Sequence, residues 1–198
     1  MDVPEASDMG ASVLLRELRK EEKTMIKMLI FMAVLVGICG TARAQTESSA
    51  EARLKEKNIR LPTPAVPVAN YVGAVRVGNL LFVSGHGPIT LKGRMGKVGK
   101  DLTLEEGYQV AREVGLNLLA TTRASLGSLD KVKRVVKVLG MVNSAPGFTD
   151  QPKVINGASD LFVEIFGEAI GKHARSAVGM AELPFGIPVE IEMVLEVE

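Results

Sequence analysis

The sequence predicts an α+β domain, a mixed β-sheet with two helices packed on one face. Three observations carry that expectation. Short alternating or β-branched runs recur at residues 71–84, 131–144 and 174–197. Two longer segments, 103–125 and 149–167, carry apolar residues at helical spacing instead. In chain order the elements read β-β-(β)-α-β-α-β-β, with no internal repeat and no low-complexity stretch.

Each element has a local reason. YVGAVRVGNLLFVSG (71–85) is two strands around a turn at Val77-Gly78-Asn79. The glycine-rich loop GHGPITLKGRMGKVGKDL (85–102) has room for a short third strand. Thr103-Leu104-Glu105-Glu106 is a capping box and opens the first helix, which the spacing ends near Gly127. KVKRVVKVLGMVNS (131–144) is β-branched and reads as a strand. The second helix starts at Thr149-Asp150 and carries Val154, Leu161, Phe162, Ile165 and Phe166 as its apolar stripe, with Gly157 as a place where it could break. HARSAVGMAELPFGIPVEIEMVLEVE (173–198) reads as a closing hairpin turning at Pro184-Phe185. That register sets Arg175 opposite Val194 and Glu190 opposite Gly179. Several strands keep apolar residues on the second face of the sheet, so the domain is expected to self-associate.

The folded domain is expected over 61–198, after a 45–60 linker or short frayed helix, and Pro62, Pro64 and Pro67 keep the domain's first residues extended. Residues 25–44, MIKMLIFMAVLVGICGTARA, read as a signal peptide: a lysine flank, a short apolar run, and Ala42-Arg43-Ala44 for cleavage. Cleavage after Ala44 implies export to a periplasmic or extracellular space, with no stable membrane insertion. Without cleavage the segment is an N-terminal membrane anchor. Residues 1–24 are a polar extension, with Met25 as the expected start. The single cysteine, Cys39, lies inside the signal segment, so the mature domain has no disulfide, thiol nucleophile or thiolate metal site. Bulky Ile38 before it argues against lipid attachment.

Composition excludes some functions. Lys+Arg total 24 against 23 Asp+Glu, and aromatics are 4% with no Trp, so neither a phosphate-tracking surface nor a base-stacking platform is expected. The glycine-rich loop is no P-loop, because Gly99-Lys100 is followed by Asp101, not Ser or Thr. His86 and His173 stand far apart in sequence, poor spacing for a metal site; either could line a pocket. Ser84 sits in V-S-G before a loop rather than G-x-S-x-G before a helix, which fits a backbone-bonding serine better than a nucleophile. Arg175, among small residues, suits two roles: a bidentate carboxylate anchor, or one half of a salt bridge.

At this point the residues resemble a known family. YVGAVRVGNLLFVSGHGPI, NLLATTRASLGSLDKVKRVVKVLGMVN and HARSAVGMAELPFGIPVEIE together are similar to the RidA/YjgF enamine/imine deaminases, also called L-PSP endoribonuclease-like. The resemblance covers residues 60–198 and implies a chorismate-mutase-like fold, a homotrimer with clefts between subunits, and no cofactor or metal. It implies that Arg175 holds a substrate carboxylate, Glu190 positions the attacking water, and Tyr71 and Ser84 line the cleft. Two positions depart from the family pattern: Ala177 stands where many members have cysteine, and Ser159 where they have asparagine, with Asn156 one turn earlier. The implied reaction is hydrolysis of a 2-imino acid to a 2-keto acid and ammonia. The rival readings are a non-catalytic trimer that binds small carboxylates, and an endoribonuclease, which near-neutral charge disfavours.

Overall fold

The structure is a computed structural model that describes residues 16, 17, 19–25, 48–64, 66, 67, 69–89 and 94–198. The chain divides into two units, Met1–Thr46 and Glu47–Glu198. In the first, residues 16, 17 and 19–25 are helical and exposed. Apart from Met25, the expected signal segment lies outside the described residues. Among the described residues no helix is long and apolar enough to cross a membrane.

The second unit contains helix α1 (Ala50–Glu56), strands β1 (Ala74–Val77) and β2 (Leu80–His86), helix α2 (Leu104–Leu126), strand β3 (Val132–Asn143), helix α3 (Gln151–Phe166), the short α4 (Glu168–Gly171), and strands β4 (Ala174–Met180) and β5 (Val189–Val197). The five strands form one sheet in the order β1-β2-β5-β3-β4. All neighbouring pairs are antiparallel except β3 and β4, which run parallel. Helices α2 and α3 bury their apolar stripes against one face of this sheet.

The capping signals of α2 act as the sequence suggests. Thr103 accepts from the Glu106 backbone and Glu106 returns a bond to the Thr103 N–H, while Gly127 closes the helix at φ 82°. Gly157 does not break α3. It lies where α3 crosses α2, and a Cβ there would stand 2.0 Å from the Tyr108 carbonyl oxygen. Only glycine lets the two backbones approach so closely.

Residues 45–58, expected as linker or frayed helix, contain the docked helix α1. Ser49 caps it and Ala50 and Leu54 are buried. Arg53 donates to the Ile165 carbonyl and Glu51 accepts from the Leu129 N–H, which ties α1 to the domain. No third strand forms among the described residues of the glycine-rich loop; Val98 makes only single bridges, to Leu102 and Ser144.

The closing hairpin is the main correction. β4 and β5 do not pair, because β3 lies between them. Arg175 stands beside Val138, not Val194, and Glu190 beside Met141, not Gly179. Burial explains the choice. Val189, Ile191, Met193, Leu195 and Val197 of β5 are all buried, at about 1.5–3 kcal/mol for each fully buried large side chain. A strand with that face is most stable in the sheet centre. β4 is shorter, carries mostly small residues and ends exposed, so it takes the edge.

The helix-free face of the sheet carries Val75, Val77, Phe82, Val178 and Met180, all of them exposed. Their register mates on that face include Val194 and Met141. This is the partly apolar second face that the strand patterns imply.

Candidate functional site

One cluster forms where β2 ends. The ladder between β2 and β5 is irregular between Val83 and His86, which turns Ser84 and Gly85 out of register. Glu190 of β5 lays its carboxylate over Gly85; a Cβ there would stand 2.2 Å from Glu190 Oε1. Glu190 is half-buried and accepts no hydrogen bond from any described residue. Burial pushes its carboxyl above the usual range, and the charge of Glu192 adds to the shift. Glu190 faces a cleft of ≈ 470 Å³ whose lining includes Tyr71, Gly85, His86, Asn117 and Phe185.

Tyr71 stands at this cleft, 52% exposed. Ser84 spends its proton on the backbone, donating to the Val72 carbonyl at 2.6 Å. His86 is a buried tie between β2 and α2. Its Nδ1–H donates to the Ser84 carbonyl at 2.6 Å, so Nε2 is left to accept from the Thr121 hydroxyl at 2.7 Å. Burial lowers its pKa, against the raising effect of the Ser84 bond, and keeps the ring neutral.

Asn117 is a member of the cleft that the sequence reading missed. Its Nδ2 donates to the Gly87 carbonyl at 2.8 Å, and its buried Oδ1 has no partner among the described residues. The signal was present: an amide stands inside the stripe Val114, Leu118 and Thr121, where an apolar residue would otherwise pack.

The second cluster surrounds Arg175 on edge strand β4. Arg175 Nη1 donates to Asn156 Oδ1 and to Ser159 Oγ, both at 2.9 Å, and Nη2 donates to the Pro152 carbonyl at 3.3 Å. Asn156 and Ser159 therefore act together on one guanidinium nitrogen. No carboxylate among the described residues pairs with Arg175, so it is not a salt-bridge partner there. Of its five N–H groups, the one on Nε and one on Nη2 keep no acceptor among the described residues.

A directed chain holds this arginine. Arginine only donates, so Ser159 Oγ accepts from it and passes its own proton toward His173 Nε2 at 3.1 Å. His173 Nδ1–H then donates to the Gly171 carbonyl at 2.6 Å. Burial lowers the His173 pKa, the Gly171 bond opposes this, and the Arg175 charge lowers it further. Phe162 packs edge-on against the ring, with centroids 5.9 Å apart. Ala177, beside Gly140 in the ladder, packs its methyl against the core and offers no polar side chain.

The two clusters are not brought together within one chain. Arg175 points to the helices, whereas Glu190 alternates with the buried Val189 and Ile191 and points to the other face. Their register partners on β3 are Val138 and Met141, two strands and three residues apart, which is about 14 Å between Cα atoms. Among the described residues no three His, Cys, Asp or Glu side chains converge as metal ligands.

The family model described as "YjgF/chorismate_mutase-like, putative endoribonuclease" matches residues 51–189. The chain belongs to the YjgF family. The match takes in both clusters, apart from Glu190, which follows its last residue. Relatives differ in how specifically they are named. Protein TCP17 of Trypanosoma cruzi is 48% identical over 147 residues, 73% of this chain and 92% of that protein. The crystal structure of Atu1372 from Agrobacterium tumefaciens, a protein of unknown function, superposes with a TM-score of 0.68 at 43% identity, covering 75% of this chain and 92% of that one. A 2-iminobutanoate/2-iminopropanoate deaminase of Dermatophagoides farinae is 32% identical over 140 residues, 71% of this chain and 95% of that protein. The YjgF family thus includes a relative named for imine hydrolysis as well as members without an assigned activity.

Proposed function

We propose that the protein hydrolyses 2-imino acids to 2-keto acids and ammonium, in a site completed by two copies of the chain. The observation that carries this reading is Glu190. It is a half-buried carboxylate with no hydrogen-bond partner among the described residues, a raised pKa and an open cleft before it. Those are the properties of a general base that holds a water. Arg175, held by the Ser159–His173 chain with two N–H groups to spare, supplies the complementary part, an anchor for a carboxylate.

The chemistry balances without a redox partner. Glu190 takes a proton from water as the oxygen attacks the imine carbon of R–C(=NH2+)–COO−, giving a tetrahedral carbinolamine. Glu190 returns that proton to nitrogen, then takes the hydroxyl proton as the C–N bond breaks and the C=O forms, and passes it to the departing NH3, so that R–CO–COO− and NH4+ leave. Protonated imine is already electrophilic, so positioning and one base account for the acceleration. Tyr71 serves as a cleft wall, and Ser84 holds the backbone at Val72 beside it.

Two chains are invoked because Arg175 and Glu190 occupy opposite faces of one sheet, and because that sheet exposes an apolar face suited to a second copy. A trimer is the proposed assembly. The test follows the decay of 2-iminobutanoate generated by an amino-acid oxidase. Arg175→Ala and Glu190→Gln are each expected to abolish acceleration. Mixing the two inactive proteins and allowing subunits to exchange restores about one quarter of the sites, because half the arginines meet half the glutamates. Decay equal to the uncatalysed rate with wild-type protein sinks the deaminase reading, and carboxylate binding without turnover replaces it with a binding role. Separate inactivity with no recovery on mixing sinks the shared site.

A further inference from the structure

The mouth of the Glu190 cleft is built differently from its floor. The floor is polar, with Glu190 and the unpartnered Oδ1 of Asn117. The mouth is apolar: Val66, Ile89, Pro184 and Phe185 line it, and Val66, Ile89 and Phe185 are exposed. Phe185 is the extreme case. The residue is 80% exposed, and its backbone sits at φ 57°, ψ 12°, in the left-handed region. A bulky residue there costs roughly 1–2 kcal/mol, and this one, largely exposed, recovers little by packing among the described residues.

The loop enforces that conformation from both ends. Leu183 and Ile187 are buried on either side. The Gly186 N–H donates to the Leu183 carbonyl at 3.0 Å, and the Gly186 carbonyl accepts from the Gly96 N–H at 2.8 Å. The turn is tied at both ends and its tip lies at the cleft. Backbone strain and an unpacked aromatic ring at one position of a candidate site point to a ligand contact. In one chain, before a second copy adds Arg175, the cleft measures ≈ 470 Å³, within the range of small-molecule sites.

We infer that Phe185 is a specificity-determining residue, and that the substrate class is 2-imino acids with large apolar or aromatic side chains. This rests on the deaminase reading of the same site and adds to it the identity of R. The imine carbon lies near Glu190 and R extends outward against Phe185, Ile89 and Val66. Each further methylene buried there is worth about tenfold in kcat/KM or more.

The experiment compares imines released by an amino-acid oxidase from alanine, leucine and phenylalanine, and measures kcat/KM for each. Wild-type protein is expected to favour the leucine- and phenylalanine-derived imines over the alanine-derived one by about tenfold to a hundredfold. Phe185→Gly keeps the left-handed backbone comfortable and removes the ring. It is expected to cut the rate for the phenylalanine-derived imine at least about tenfold more than for the alanine-derived one. Phe185→Asn, also tolerant of that conformation, should behave alike. Equal preference among the imines overturns the inference while leaving the deaminase intact. So does a Phe185→Gly protein whose preference is unchanged and whose oligomeric state shifts, because a second copy then covers the ring. If no imine is hydrolysed, calorimetry with phenylpyruvate and pyruvate decides separately. Tighter phenylpyruvate binding that is lost in Phe185→Gly supports the apolar wall although the catalytic reading has failed, and equal binding overturns both.

Discussion

Adding one methyl group at Gly85 displaces the carboxylate that the proposed mechanism depends on. An alanine Cβ would stand 2.2 Å from Glu190 Oε1, 3.1 Å from its Cδ and 3.3 Å from its Cγ. Normal contact between such atoms needs more than 3 Å, so the carboxylate oxygen must retreat by about 1 Å. Gly85 does not have the left-handed backbone that would exclude alanine, and the obstructing atom is the end of a flexible side chain. Folding should therefore survive, and alanine recovers about 0.5–1 kcal/mol of the entropy that glycine loses in a strand. Catalysis should not. A 1 Å misplacement of a catalytic group costs about a hundredfold, or about 2.7 kcal/mol in the barrier. The measurement is 2-iminobutanoate decay beside a thermal melt of the same preparation. Expected is a melting temperature within a few degrees of wild type and kcat/KM down about a hundredfold. Wild-type turnover by Gly85→Ala, with Glu190→Gln inactive, would show that the working carboxylate stands elsewhere. Full turnover by both would remove Glu190 from the chemistry.

Arg175→Lys keeps the charge but cannot bond Asn156, Ser159 and a substrate together; KM for the imine should rise about tenfold or more with a smaller change in kcat, read from steady-state kinetics. The acid limb of kcat/KM should lie above the usual glutamate range, because burial raises the Glu190 pKa and the base works only when ionised; Glu192→Gln should move that limb downward in a pH–rate profile. His86 and His173 are both held below their ordinary pKa by burial, so on acidification the unfolded chain takes up protons first. Stability is whole above about pH 6.5 and declines as pH falls toward the folded values, and a melting series should show less decline in a His86→Gln, His173→Gln double variant. Gly157→Ala forces a Cβ to within 2.0 Å of the Tyr108 carbonyl and should destabilise by about 1–3 kcal/mol in denaturant titration, after the gain in helix propensity.

Local chemistry made most elements legible. The Thr103–Glu106 box and Gly127 bracket α2 within a residue of its ends, and the alternation of Val189 to Val197 marks β5 and its buried face. Strand pairing was not legible at the end of the chain. Two strands separated by a short proline-glycine segment read as a hairpin, because adjacency in sequence is the local signal. The preference of β5 for the sheet centre depends on β2 and β3, which lie far away in the chain. The site divides along the same line. Ser84 bonding a backbone carbonyl and Arg175 standing among small residues follow from near neighbours. Asn117 over Gly87, Ser159 between Arg175 and His173, and Glu190 over Gly85 join residues 14 to 105 positions apart along the chain.

The two histidines show how the fold prepares both clusters with one device. Each gives Nδ1–H to the carbonyl two residues before it and leaves Nε2 to accept a hydroxyl proton from a helix, Thr121 of α2 for His86 and Ser159 of α3 for His173. The consequences differ because the hydroxyls differ in what else they hold. Thr121 is buried, so His86 fixes the strand end on which Gly85 and Glu190 meet. Ser159 also accepts from Arg175, so His173 fixes the direction of the guanidinium. An asparagine at position 159 would bond the arginine through its own carbonyl and need no histidine behind it. Serine is too short to be oriented alone, and His173 supplies the missing acceptor. Ser159 therefore need not weaken the anchor, provided His173 stays neutral, which its burial and the Arg175 charge both favour.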